Sequence, residues 1–177
     1  MALADNFSTT NTAGVLLTDV WSATANAAGS LGENVAPYPP FAAGTVINGL
    51  KGAKYIYVKL GTGGATGAGY FIVAPLNDYS GAVMASNSVG NIGDPCGVWM
   101  GGAALIGDYG WIQTSGLNST GVQVAALCVH NVALSTTGTA GVIDDAGTHA
   151  ISGVWITTTV VGAGLSPAQL NNPAYSS

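Results

Sequence analysis

"YGWIQTSGLNSTGVQVAALCVHNVALSTTGTAGVIDDAG", Tyr109 to Gly147, contains no Lys or Arg and reaches its first acid only at Asp144–Asp145. Its apolar residues are mostly Val, Ile and Ala, and clusters of Gly, Ser, Thr and Asn cut them into pieces too short for helices. The pieces read as strands: "GWIQTS" (Gly110–Ser115), "VQVAALCV" (Val122–Val129), "VALST" (Val132–Thr136) and "GVID" (Gly141–Asp144). "ISGVWITTTV" (Ile151–Val160) continues the series downstream, and "GAVMAS" (Gly81–Ser86), "CGVWM" (Cys96–Met100) and "AALIG" (Ala103–Gly107) precede it. Such spacing predicts a mainly β fold, a small barrel or sandwich of short antiparallel strands.

Composition excludes whole classes of function. Only 6% of the residues are charged, against about 25% in ordinary soluble domains. The basic residues are Lys51, Lys54 and Lys59, no Arg is present, and the net charge is -5. A nucleic-acid partner is therefore not expected. No apolar stretch approaches the roughly 20 residues of a spanning helix, so no membrane partner is expected either. "MALADNFSTT" lacks the basic and apolar regions of a secretory signal. Cys96 and Cys128 are accordingly expected as free, buried thiols.

The chain divides into an extended N-terminal arm (1–43), a β domain (44–162) and a C-terminal tail (163–177). "VAPYPPF" (Val35–Phe41) carries three prolines that impose an extended path. "VLLTDVW" (Val15–Trp21) has a spacing that suits one short helix. The arm's large side chains, Leu16, Leu17, Trp21, Tyr38 and Phe41, cannot build a core of their own and are the candidate interface residues. In "KYIYVKL" (Lys54–Leu60), Ile56, Val58 and Leu60 alternate with Tyr55, Tyr57 and Lys59, which predicts a half-buried strand. "YFIVAPL" (Tyr70–Leu76) then returns as its hairpin partner. Trp99, Met100, Trp111 and Trp155 are further aromatic or soft anchors, for the core or for an interface.

Chemistry-bearing motifs are scarce. "GTGGAT" (Gly61–Thr66) follows a strand but leads into strand formers, so no helix N-terminus awaits a pyrophosphate. Cys128 and His130 would share a strand face, yet two ligands do not close a zinc site, and Cys96 and His149 lie in separate segments. Asp144 and Asp145 read as turn residues, with a calcium pair as the alternative. No catalytic residue, cofactor or metal is expected. A glycan hydrolase would need two carboxylates across a cleft, and eight acids make a thin inventory.

From "GDYGWIQTSG" onward the chain resembles the capsid decoration (cement) class of head structural proteins in tailed bacteriophages. The resemblance spans roughly Gly107 to Gly162. It rests on a Gly-Trp strand (Gly110, Trp111), an Ala/Val-rich strand, an L-x-T-x-x-x-A-G-x-x-x-D hairpin (Leu134 to Asp145) and an I-x-G-x-x-x-T-T strand (Ile151 to Thr158). It implies a β-rich domain on the capsid exterior, often a homotrimer at threefold or quasi-threefold positions, that bridges major capsid protein subunits. The chain is thus expected in the virion after synthesis in the host cytoplasm. A fibre-head or receptor-binding β module is the alternative that shares these features.

Overall fold

The computed structural model describes residues 17–22, 39–63, 67–74, 79–88 and 90–176. Its strands are β1 (Val46–Asn48), β2 (Lys54–Lys59), β3 (Phe71–Val73), β4 (Val83–Met84), β5 (Cys96–Trp99), β6 (Tyr109–Val124), β7 (Leu134–Thr136), β8 (Ile143–Asp144), β9 (Ala150–Ile156) and β10 (Gly164–Tyr175). A single 3-10 turn spans Leu50–Gly52.

β6 organises everything else. Two runs expected as separate strands form one, because "GLNSTG", which has the composition of a turn, stays extended. Gln113 Nε2 donates to the carbonyls of Ser115 and Leu117 at 2.9 and 3.3 Å, and the Gly121 N–H donates to Asn118 Oδ1 at 2.8 Å. Gly116 sits at φ +85°, where a Cβ would come within 2.9 Å of the Ala53 backbone. Only glycine fits this bend, which carries β6 out of one sheet and into the next. The strand ends at Val124. The segment expected to continue to Val129 turns instead, so Cys128 and His130 do not share a strand face.

The C-terminal half of β6 belongs to a closed five-strand barrel, β6-β10-β9-β7-β8, with β8 returning to β6. That last contact, Val124 with Ile143, is parallel, and the others are antiparallel. β10 corrects the expectation of a C-terminal tail at 163–177. Gly164–Tyr175 pairs with β6 along one edge and with β9 along the other. Pro167 and Pro173, which disguise this strand, both fall where the register shifts, the positions at which a missing N–H breaks no ladder bond. Val122, Val124, Cys128, Leu134, Ile143, Ile151, Val154, Ile156, Ala168 and Leu170 point inward and join Phe71, Val98 and their neighbours in one core.

The N-terminal half of β6 lies in an open antiparallel sheet, β1-β2-β6-β5-β3-β4. β2 and β3 are not the expected hairpin, since β1 and β6 occupy both edges of β2. The expected half-burial of β2 is also revised. Val58 and Leu60 pack with Ile72, Trp99 and Ile112, while Tyr55 and Tyr57 on the opposite face are buried too. Leu17 and Phe41 lie against that tyrosine face. In place of the expected helix, 17–22 makes a turn and a bridge: the N–H groups of Trp21 and Tyr109 each donate to the other's carbonyl at 2.9 Å.

Candidate interaction surface

The candidate interface residues of the arm are placed on the chain's own sheet where they are described. Leu17 is buried with Tyr55, Tyr57, Met100 and Trp111. Phe41 meets Tyr57 and Trp111 nearly edge-on, with ring centroids 5.4 and 5.2 Å away. Trp21 stands perpendicular to Tyr109 at 5.5 Å, and its buried indole N–H has no hydrogen-bond partner among the described residues. Leu16 and Tyr38 lie outside the described residues. Burial in this aromatic cluster pushes the Tyr55 hydroxyl up to about 12, and that of Tyr57 higher still with help from Tyr109. Both remain neutral, and their rings pack with Trp111 and Phe41.

Among the other anchors, Trp99, Met100 and Trp111 are core residues. Trp155 differs, because the inward positions of β9 are Ile151, Val154 and Ile156 and its indole is left half-exposed on the barrel exterior. Gln169 pairs with it on β10, and Leu117, 47% exposed on β6, pairs with Gln169 in turn. This row of side chains crosses three strands without a charge.

One end of the barrel is more apolar still. The loops 125–133 and 157–163 are bound to each other: Val160 N–H donates to the Cys128 carbonyl at 3.1 Å, Asn131 N–H to that of Ile156 at 3.1 Å, and His130 Nδ1 lies 2.6 Å from Thr159 Oγ1. Leu127, Val129, Val132 and Val161 are exposed there, Leu127 at 70% and Val161 at 82%. Leu127 adopts φ +67°, a left-handed turn position ordinarily given to glycine or asparagine. From Tyr109 to the last residue the sequence holds only two charged side chains, Asp144 and Asp145.

Those two acids are brought to Cys128, with ligand atoms of all three within 4.8 Å of one another. Sequence reasoning missed this grouping, because 15 residues of loop and strand separate Cys128 from Asp144 and no paired spacing signals it. Their hydrogen bonds are those of a turn: Val129 N–H donates to Asp145 Oδ2 at 3.1 Å, and Asp145 N–H to Asp144 Oδ1 at 2.9 Å. Burial, and less strongly the two carboxylates, push the Cys128 thiol up to about 11. Burial and Asp145 raise Asp144 above the usual carboxylate range. A thiol kept protonated is a poor nucleophile. Cys96 is likewise free, buried and raised.

The surface therefore offers apolar contact and neutral hydrogen bonding more than reactive groups. No protein-family model matches this chain, and no curated protein is significantly similar to it.

Proposed function

We propose that this chain is a structural virion protein that decorates and cements a capsid by bridging major capsid protein subunits, acting as a homotrimer. The observation that carries the reading is the barrel end at 125–133 and 157–163, where exposed Leu127, Val129, Val132 and Val161 stand on loops tied to each other. Monomeric soluble proteins seldom collect large apolar side chains at one exposed place, and protein interfaces are poorest in charge at their centres. A cement protein needs such a surface and no catalytic group. The resemblance of Gly107–Gly162 to capsid decoration proteins points the same way, and these loops fall inside that span up to Gly162.

Closed oligomers suit the repeated threefold positions of a shell, and many copies make a modest contact effective. A cryo-EM map of the parent virion at side-chain resolution tests the reading. The expected result is density for this chain on the outer shell, with the two loops facing the lattice or a neighbouring copy. Its absence from the shell, or loops turned to solvent in every copy, overturns it.

A further inference from the structure

We propose that the barrel exterior around Trp155 is a binding platform for a neutral glycan, a function distinct in kind from attachment to a capsid, with Asn131, Val132 and Ala133 shared between the platform and the proposed attachment loops. Two shallow grooves flank this indole. One, of about 330 Å³, is lined by Asn131, Val132, Ser152, Gly153 and Trp155 among others. The other, of about 400 Å³, is lined by Lys51, Ser115, Gln169, Asn171 and Trp155 among others. Trp155 is common to both, so a linear ligand running from groove to groove crosses this residue.

The chemistry of this surface matches a sugar chain better than a peptide or a nucleic acid. The C–H face of a pyranose carries slightly positive hydrogens that suit the negative face of an aromatic ring. Its hydroxyls both donate and accept, and amides and hydroxyls answer them in kind, here Asn131, Asn171 and Ser115, with Gln169 and Ser152, which donate to the Leu170 and Ala174 carbonyls, still able to accept. The Trp155 indole N–H is a further donor for which no hydrogen bond is found among the described residues. Lys51, which lines the second groove, is the single charged side chain lining either groove among the described residues. A phosphate backbone or an acidic polysaccharide would lack counter-charges, whereas a neutral glycan needs none.

The backbone supports the same site. The β9–β10 register shifts between Leu170 and Ala174, and Gly153, which lines the first groove, sits at φ +72° and faces the Asn171 carbonyl too closely for any Cβ. Bulges of this kind re-aim side chains beside binding sites. Here the irregularity falls at Gly153 on β9, two residues from Trp155, and includes Asn171 on β10.

The test uses the full chain and a panel of neutral hexasaccharides: cello-, malto-, laminari-, manno- and chito-oligomers. Binding is read by intrinsic tryptophan fluorescence and by saturation-transfer NMR. At least one member is expected to bind, with transfer strongest to the axial C–H protons. Trp155→Ala is expected to weaken that binding roughly tenfold, while Trp155→Phe retains most of it. Melting curves of both variants establish that the fold is kept, and Trp155→Phe carries the comparison if Trp155→Ala unfolds. No binding by any member at millimolar concentration, or binding that survives Trp155→Ala, overturns the proposal. So does a Trp155→Ala variant that loses capsid attachment while no sugar binds the parent chain, since the face then belongs to a protein partner. Capsid attachment unaffected by Trp155→Ala leaves the cementing role standing whatever the glycan result.

Discussion

The barrel and the open sheet share β6, yet they hide their apolar side chains by different means. The barrel closes on itself, so its interior of Val, Ile, Leu, Ala and Cys needs no covering layer. The sheet has two faces, and the one bearing Tyr55, Tyr57 and Trp111 is covered by Leu17 and Phe41 from the segments ahead of β1. Closure makes burial a property of strand pairing, whereas an open sheet depends on whatever chain is laid across it. The polar consequences differ as well. The three lysines all belong to the sheet side, at 51–59, and the barrel side has only its two acids.

Removal of residues 164–177 is the severest way to break this comparison. The barrel then loses the strand that joins β6 to β9, and the cooperative melting transition is expected to disappear together with near-ultraviolet circular dichroism. A truncated chain that still melts cooperatively would show that the sheet folds without the barrel.

Two single substitutions sharpen it. Leu170→Ala empties a site inside the barrel and is expected to cost about 3 kcal/mol, roughly 10 °C in melting temperature. Phe41→Ala strips part of the sheet's cover and is expected to cost about 2 kcal/mol, since Phe41 is only partly buried and its site can rehydrate. Denaturant titration measures both. Equal losses would place the cover on the same footing as the barrel interior, and no loss from Phe41→Ala would mean that the tyrosine face tolerates water.

A smaller effect concerns the barrel's two acids. Burial and Asp145 raise the Asp144 pKa above its unfolded value, so the folded chain holds that proton more tightly. Ionisation therefore costs stability as pH rises from the unfolded value through the raised one, and below both values the cost is absent. Asp144→Asn keeps the Oδ1 acceptor for Asp145 N–H. It is expected to raise the melting temperature by about a degree or two at neutral pH, because solvent screens the pair, and by nothing near pH 3. The smallest effect is none at all: with Cys96 and Cys128 free and buried, reductant should leave the melting curve unchanged, and a large fall would reveal a disulfide.

The legible parts were those in which one local rule applied. The alternation in "KYIYVKL" located β2 to within a residue of its observed end, and the run from Cys96 announced β5. Trp155 was legible as an anchor but not as an outward one, because the face a strand residue takes depends on which neighbours close the sheet. The grouping of Cys128 with Asp144 and Asp145 was illegible for a similar reason: loops joined only by tertiary contacts bring them together.

The sequence by itself determined the β class and the poverty of charge, since residue types set backbone preference and ionisation wherever they fall. The tertiary structure alone decided that "GLNSTG" is strand, that "GLSPAQLNNPAY" closes a barrel, and that Leu17 and Phe41 cover the tyrosine face. Local propensity for each of these is weak or contrary, with glycines, asparagines and prolines that ordinarily make turns. A partner strand on each side of β6 and β10, and a bare aromatic face in need of cover, supplied the free energy that propensity lacked.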